Sequence, residues 1–129
     1  MARIVCFADN AAVANVVQQG LGDREHTLYF LTASRLTNEL RQTVQHLAPD
    51  VILLELSHAL DNPHLYFFLR ADRATRHIPI ILVSSGARLE QQAAILGADG
   101  YLQRPFGVEQ LWKAVSAYLM PQQALAAAA

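Results

Sequence analysis

The sequence is poor in cysteine and lysine and has almost no net charge. It contains one cysteine, Cys6, nine of its ten basic residues are arginine, and its formal charge is −1. A lone cysteine excludes an internal disulfide and a thiolate-rich zinc cluster, and a thiol within an apolar run is typically inert. A near-neutral chain lacks the basic surface that attracts nucleic acids and anionic membranes. We therefore expect no direct nucleic-acid partner and no membrane partner.

Long apolar segments are also missing. The N-terminal run at residues 4–7 is soon interrupted by Asp9, which makes it too short for a secretion signal or a membrane span. The sequence thus predicts a soluble protein of the reducing cytoplasm. Its 129 residues, 53% of them hydrophobic, predict one domain over residues 1–120. The Gln- and Ala-rich residues 121–129 are interpreted as a flexible tail or a linker stub.

Apolar runs alternate with helical patterns along the chain. The runs lie at residues 4–7, 27–31, 51–54, 80–83 and 100–103. A run that is apolar on both faces is typical of a parallel sheet covered by helices. One helical stripe between the runs is formed by Leu36, Leu40, Val44 and Leu47. Five strands alternating with five helices predict an α/β fold, a doubly wound five-stranded parallel sheet of order 2-1-3-4-5, flavodoxin-like, in three α/β/α layers.

Polar and charged residues stand at the ends of four predicted strands. Asp9 follows the first strand, Glu55 ends the third, and Ser84 and Arg104 follow the fourth and fifth. In a doubly wound sheet, the carboxyl ends of the strands meet at the edge where ligands bind. The sequence therefore predicts a site at this edge.

Three blocks around this edge resemble the signature blocks of response-regulator receiver domains, the CheY-like family. They are PDVILLE at 49–55, IPIILVS at 78–84 and GADGYLQRPF at 97–106. The resemblance covers about residues 3–120 and implies that Glu55 occupies the position of the phosphoacceptor aspartate. It also implies that Ser84 and Tyr101 match the two switch residues. Arg104, before a proline, stands where the family has a phosphate-binding lysine.

The acidic positions of the family pattern are altered. The acidic pair after the first strand is represented by Ala8 and Asp9, and Glu55 replaces the aspartate. With fewer carboxylates, magnesium held by Asp9 and Glu55 is expected to bind weakly, so we expect no cofactor at ordinary concentrations. Arg104 offers a planar fork that is always charged, and it is predicted to pair with Glu55 or Asp9.

These changes favour an atypical receiver, or pseudo-receiver, of a two-component or related pathway. It would not be an enzyme and would act as a phosphorylation-independent interaction module. The expected partners are a sensor kinase or an output domain, with a homodimer as a further alternative, and Glu55 is either silent or a weak mimic of phosphoaspartate. The alternative function is a working receiver that accepts a phosphoryl group at an acidic residue of the site with magnesium. That event would trigger the switch of Ser84 and Tyr101.

Three apolar residues lie outside the inward stripes of their helices. Phe67 and Phe68 widen the apolar arc of the third helix, and Ile95 lies on the fourth helix, near Tyr101. The resemblance implies that the surface of the last two helices and the fifth strand is used for output and dimerisation. Phe67, Phe68 and Ile95 are thus either packed between helices or part of a partner or dimer surface.

The remaining ionisable residues give no pattern of a site. The five histidines show no metal-ligand spacing and have no cysteine companions, so we expect no metal role for them. His58 and His64, which flank the site loop, are expected to be solvated. Arg70, Arg73 and Arg76 recur every three residues around the end of the third helix, where cations complement the helix dipole. They are predicted to form a solvated face.

Overall fold

The computed structural model describes residues 2–8, 11–22, 26–32, 36–56, 62–86 and 88–128, but not the side chains of residues 62, 63 and 120–128. Within these ranges, five strands alternate with five helices. The strands are β1 (Ala2–Phe7), β2 (His26–Leu31), β3 (Val51–Glu55), β4 (Ile80–Ser84) and β5 (Gly100–Gln103). The helices are α1 (Ala11–Leu21), α2 (Asn38–Leu47), α3 (Asn62–Ala71), α4 (Leu89–Leu96) and α5 (Val108–Ala128).

The strands form one parallel sheet of order β2-β1-β3-β4-β5. The predicted fold class and strand order are confirmed. β3 and β4 are buried along their whole length, whereas β2, at one edge of the sheet, is mostly half-buried. This burial explains why the central strands are continuous apolar runs.

Each face of the sheet carries its own hydrophobic core. On one face α1 and α5 pack against the strands, with Val17 and Leu111 fully buried. On the other face α2, α3 and α4 pack against the strands, with Val44, Leu69 and Leu89 buried. The three layers are therefore held by apolar burial on both sides of the sheet.

Gly20 brings α1 close to α5. A Cβ atom at this position would lie 2.9 Å from Cδ2 of Leu111 and 3.4 Å from Cγ1 of Val108. The missing side chain allows this close approach of the two helices. A larger residue at position 20 would push α1 away from α5.

α2 begins after the first residue of its predicted apolar stripe. Leu36 lies outside the helix and is exposed. Thr37 caps the helix, and its Oγ1 accepts a hydrogen bond from the N–H of Leu40 at 3.2 Å. A threonine cap satisfies one of the free N–H groups of the first turn. The predicted inclusion of Leu36 in the inward stripe was wrong, because the cap sets the start of the helix.

α5 continues further than the sequence analysis expected. The helix ends at Ala128, so the backbone of residues 121–128 is helical where a tail or linker stub was predicted. Alanine, leucine and glutamine are strong helix formers, which favours this continuation. None of the described helices is both long enough and apolar enough to cross a membrane. The domain boundary at residue 120 remains a prediction.

Arg70, at the end of α3, connects several chain segments at the amino edge of the sheet, where the strands begin. Its guanidinium donates to the carbonyl oxygens of Arg76 at 2.7 Å and Ile78 at 2.8 Å. It also forms an ion pair of 2.6 Å with Asp99, and the same carboxylate oxygen accepts the N–H of Ile80 at 2.9 Å. Arg70 therefore does not belong to the predicted solvated face, because a carboxylate and two carbonyls hold it, whereas Arg73 and Arg76 are exposed as predicted.

Two tyrosines extend this contact to the other helices. The Nε of Arg70 donates to the hydroxyl of Tyr66 at 3.2 Å, and this hydroxyl donates to the carbonyl of Leu96 at 2.9 Å. The hydroxyl of Tyr118 donates to the carbonyl of Asp99. Burial alone would lower the pKa of Arg70, but its hydrogen bonds to Tyr66 and Asp99 raise it overall. The cluster thus joins α3, α4 and α5 to the starts of β4 and β5.

Candidate functional site at the carboxyl edge

The strand register aligns the predicted site positions. Phe7 of β1 pairs with Leu54 of β3, so Ala8 and Glu55 follow side by side. Glu55 pairs in turn with Val83 of β4. Because the carboxyl ends of parallel strands meet at one edge, the predicted site positions converge there.

Glu55 is enclosed at the end of β3. Its residue surface is 6% exposed. Burial, and to a smaller extent the negative charge of Glu55, raise the pKa of the Cys6 thiol on β1 to about 12. Cys6 is therefore protonated at neutral pH, in line with the inert thiol predicted from its apolar run.

Ser84 is buried at the end of β4 and is bound within its own loop. Its Oγ accepts a hydrogen bond from the N–H of Gly86 at 3.1 Å. Its carbonyl oxygen accepts the N–H of Arg104 at 2.8 Å. A serine that bonds the backbone two residues ahead stabilises a turn. These bonds fix the loop after β4 against the residue that follows β5.

Arg104, which was predicted to pair with Glu55 or Asp9, lies beside the site, and Asp9 is outside the described residues. Arg104 is half-buried and precedes a cis peptide bond to Pro105. The ion pairs among the described residues are Arg41–Asp72 and Arg70–Asp99. The expected pairing of Arg104 with Glu55 is not among them. Placing a guanidinium on a carboxylate as buried as Glu55 would require both charges to lose water.

Tyr101, the second predicted switch residue, is 42% exposed on β5. It borders a cavity of about 520 Å³ between α4, β5 and α5, whose lining also includes Glu90, Ala94, Ala117 and Tyr118. The ring of Tyr101 is therefore exposed on the surface formed by α4, β5 and α5.

The second predicted carboxylate, Asp9, lies outside the described residues, as do residues 57–61 that follow β3 in the chain. In the described ranges, no three His, Cys, Asp or Glu side chains are grouped so that they could hold a metal ion. Next to Glu55 the register places Ala8, whose methyl group is no metal ligand.

No protein-family model matches the chain. A probable transcriptional regulatory protein of Picosynechococcus sp. is 30% identical over 129 residues, which cover 95% of this chain and 51% of that protein. The DNA-binding dual master transcriptional regulator RpaA of Synechocystis sp. is 28% identical over 126 residues, 92% of this chain and 49% of that protein. The chain therefore spans about half the length of these curated relatives.

A solved structure with the same topology is the receiver domain of a sensor histidine kinase from Pseudomonas aeruginosa, which has magnesium coordinated in its active-site cleft. The TM-score is 0.74 at 19% identity, over 91% of this chain and 96% of that chain. The chain has the receiver-domain fold. At this identity the likeness is one of fold, and the receiver fold alone does not specify the chemistry of the edge.

On this receiver fold, the three predicted interaction residues differ in exposure. Ile95 is 84% exposed and Phe67 is 55% exposed. Phe68 is half-buried against the core beneath α2, α3 and α4, and the guanidinium carbon of Arg41 lies 5.1 Å from its ring centroid. Phe68 therefore packs towards α2. A partner surface at Phe67 and Ile95 remains a prediction.

A groove that the sequence analysis did not predict lies between the edge strand β2 and α2. Its volume is about 590 Å³, and its lining includes Phe30, Leu31, Thr37, Leu40 and Thr43. Phe30 is exposed there. The apolar run of β2 gave no signal of this groove, because the exposed face of the edge strand is as apolar as its inner face.

Proposed function

We propose that the chain is an atypical receiver that acts in the cytoplasm, in two-component or related signalling, as a phosphorylation-independent protein-interaction module. Its partners in this proposal are a sensor kinase or an output domain, and the transcriptional-regulator names of its relatives support the latter. The observation that carries the proposal is Glu55, a buried glutamate at the end of β3 beside the methyl group of Ala8. In the family that the sequence resembles, this position holds the phosphoacceptor aspartate.

Phosphoryl acceptance needs a nucleophile that the phosphodonor can reach and cations that offset the charge of the phosphoryl group. Glu55 is almost fully buried, and its neighbour in register, Ala8, brings no carboxylate. Mg²⁺ is typically held by carboxylates together with waters and phosphate oxygens. Glu55 is therefore the carboxylate that the described residues supply at this edge, and the proposed function uses no step that requires magnesium.

A silent site is favoured over a constitutive mimic of phosphoaspartate. In a mimic the Ser84 hydroxyl would turn towards Glu55, whereas the bond that its oxygen accepts from the N–H of Gly86 holds the side chain in its own turn. Tyr101 is exposed on β5. Glutamate also has less charge and one fewer terminal oxygen than a phosphoryl group offers. These contacts support an interaction module whose surface is constant.

The test is incubation with acetyl phosphate, or with beryllium fluoride, in the presence of Mg²⁺. We expect the intact mass of the wild-type protein to gain no phosphoryl group, and the fluorescence of Tyr101 and Trp112 to stay unchanged. The matched control is the double variant Ala8→Asp, Glu55→Asp, which sets two aspartates side by side and is expected to respond. Phosphorylation of the wild-type protein at Glu55 or another acid of the site would instead establish the working receiver, with Ser84 and Tyr101 as its switch.

A further inference from the structure

We infer that the exposed surface of α3 and α4 around Phe67 and Ile95, called the α3–α4 surface below, docks an acidic amphipathic helix of a partner protein. This deepens the proposed function and rests on it, because an interaction module needs a surface that selects its partner. The α3–α4 surface is distinct from the cavity between α4, β5 and α5.

Ile95 lies on the side of α4 that faces away from that cavity. Leu89 and Ala93 are buried and define the inward side of α4, and Glu90 and Ala94 line the cavity. Successive residues of an α-helix are about 100° apart. Ile95 therefore lies beyond Ala94, on the outer flank towards α3, and not on the α4, β5 and α5 surface that the sequence analysis considered.

Phe67 belongs to the same surface on the α3 side. The preceding residue, Tyr66, reaches α4, because its hydroxyl donates to the carbonyl of Leu96 at 2.9 Å. The following residue, Phe68, packs on the opposite side, under Arg41 of α2. The ring of Phe67 packs edge-on against Tyr66, with the centroids 5.8 Å apart, and so lies on the α4 side of its helix.

Exposed arginines lie next to the α3–α4 surface, and one of them is placed by its backbone: the carbonyl of Arg76 binds Arg70, whose guanidinium also pairs with Asp99, just after α4. Arg73 and Arg76 follow α3, and Arg88 lies two helical turns before Ile95 on the same stripe of α4. All three arginines are exposed, and none has an ion pair with another described residue. An apolar centre with a basic rim suits a helix that has apolar residues on one face and carboxylates on its flanks.

The carboxylates of α3 and α4 in the described ranges are directed elsewhere. Glu90 lines the cavity on the opposite flank of α4. Asp72 accepts a hydrogen bond from Gln45 of α2 at 2.7 Å and lies 3.9 Å from Arg41. Two copies of the α3–α4 surface placed face to face would set arginine against arginine, which is unfavourable. An acidic partner therefore fits this surface better than a second copy of the chain.

The test uses two labelled synthetic helices and measures fluorescence anisotropy with the full chain. One helix has leucine and phenylalanine on one face and glutamate on the other, and the second has lysine for every glutamate. We expect the acidic helix to bind at least about tenfold more tightly. Phe67→Ser and Ile95→Ser should each weaken its binding at least about tenfold, as truncation of central apolar contacts does. Arg88→Glu should weaken it as well.

The matched control is Phe30→Ser, which removes another exposed phenylalanine, in the groove between β2 and α2. It should leave binding unchanged. Equal binding of the two helices, or unchanged binding to Phe67→Ser and Ile95→Ser, would overturn the inference. A third result would also overturn it: the chain dimerises, Ile95→Ser abolishes the dimer, and the acidic helix does not bind. Circular dichroism of each variant checks that the fold is intact.

The same samples separate this inference from the proposed function. Phosphorylation of wild-type Glu55 by acetyl phosphate, with binding of the acidic helix retained, would overturn the proposed function alone. Failure of the acidic helix to bind, with Glu55 unmodified, would overturn docking at the α3–α4 surface alone.

Discussion

The two edges of the sheet are held by different kinds of contact. At the amino edge, the side chains of Arg70 and Asp99 bind carbonyl and N–H groups of the chain around β4. Asp50 adds a similar contact, because its carboxylate accepts the N–H of Arg3 at 2.9 Å. At the carboxyl edge, the bond that links the ends of β4 and β5 is a backbone one, from the N–H of Arg104 to the carbonyl of Ser84.

This difference shows which part of the molecule stabilises the fold and which part is free to vary. The residues that the sequence resemblance marks as departures from the receiver pattern, Ala8, Glu55 and Arg104, all fall at the carboxyl edge. Ala8 packs against one core, but none of the three is in the ion pairs Arg41–Asp72 and Arg70–Asp99 of the described residues. A change of chemistry at the carboxyl edge therefore leaves the architecture intact, as expected when a site is built on a fold that exists independently of it.

The strongest test of this comparison is Arg70→Ala. The substitution removes the ion pair with Asp99 and leaves the carbonyl oxygens of Arg76 and Ile78 without their donor. The ion pair is partly exposed and contributes less than a buried one, but unsatisfied acceptors add to the loss. We expect the free energy of unfolding to fall by about 2–3 kcal/mol, measured by urea denaturation.

The matched variant at the other edge is Arg104→Ala. Its guanidinium is in neither of the ion pairs among the described residues, so the free energy of unfolding should change by less than about 0.5 kcal/mol. Equal destabilisation by Arg70→Ala and Arg104→Ala would show that the two edges contribute alike to stability.

The fold was predictable because the local pattern of apolar residues indicates which strands are buried. β3 and β4 are apolar on both faces, and this alone indicates a covered parallel sheet. The start of α2 was not predictable from spacing, because the hydrogen bond from Leu40 to Thr37 excludes Leu36 from the helix. The role of Arg70 depends on a partner far away in sequence, and spacing within one helix does not reveal it.

The site was predictable in position but not in geometry. Glu55 and Ser84 end their strands, so their convergence follows from topology. The exposure of Tyr101 and the partner of Arg104, predicted to be Glu55 or Asp9, depend on rotamers and on the cost of removing water from charges. Neither quantity is encoded in the order of residue types.

Cys6 gives a pH-dependent measure of burial near the carboxyl edge. Burial, and then the charge of Glu55, raise the pKa of its thiol from 9.0 to about 12. The unfolded chain therefore loses this proton at a lower pH than the folded chain, so the stabilisation is complete below about pH 9 and is lost as the pH rises towards 12. We expect a loss of about 2 kcal/mol in the free energy of unfolding by about pH 10.5, measured by urea denaturation.

Two variants isolate this contribution. Cys6→Ala should lower stability at neutral pH, since it leaves a small cavity, but it should flatten the loss above about pH 9. Glu55→Gln should flatten it only partly, because burial is the larger cause of the shift. Tyr118→Phe is the background control, since burial, and then the charge of Asp99, raise the pKa of Tyr118 too. A slope that Cys6→Ala leaves intact would mean that the thiol is not enclosed as described.

Small effects are also expected at two helix ends that lead into the amino edge. Ala48 closes α2 with φ of 47°, and Gly97 closes α4 with φ of 76°. This left-handed region strains any residue with a Cβ atom but suits glycine. Ala48→Gly should therefore raise the free energy of unfolding by about 0.5–1 kcal/mol, and Gly97→Ala should lower it by a similar amount. No atom lies within 4 Å of a Cβ built on Gly97, so the destabilisation by Gly97→Ala would come from backbone strain alone. Urea midpoints that move in the same direction for both variants would show that the caps do not limit stability at this edge.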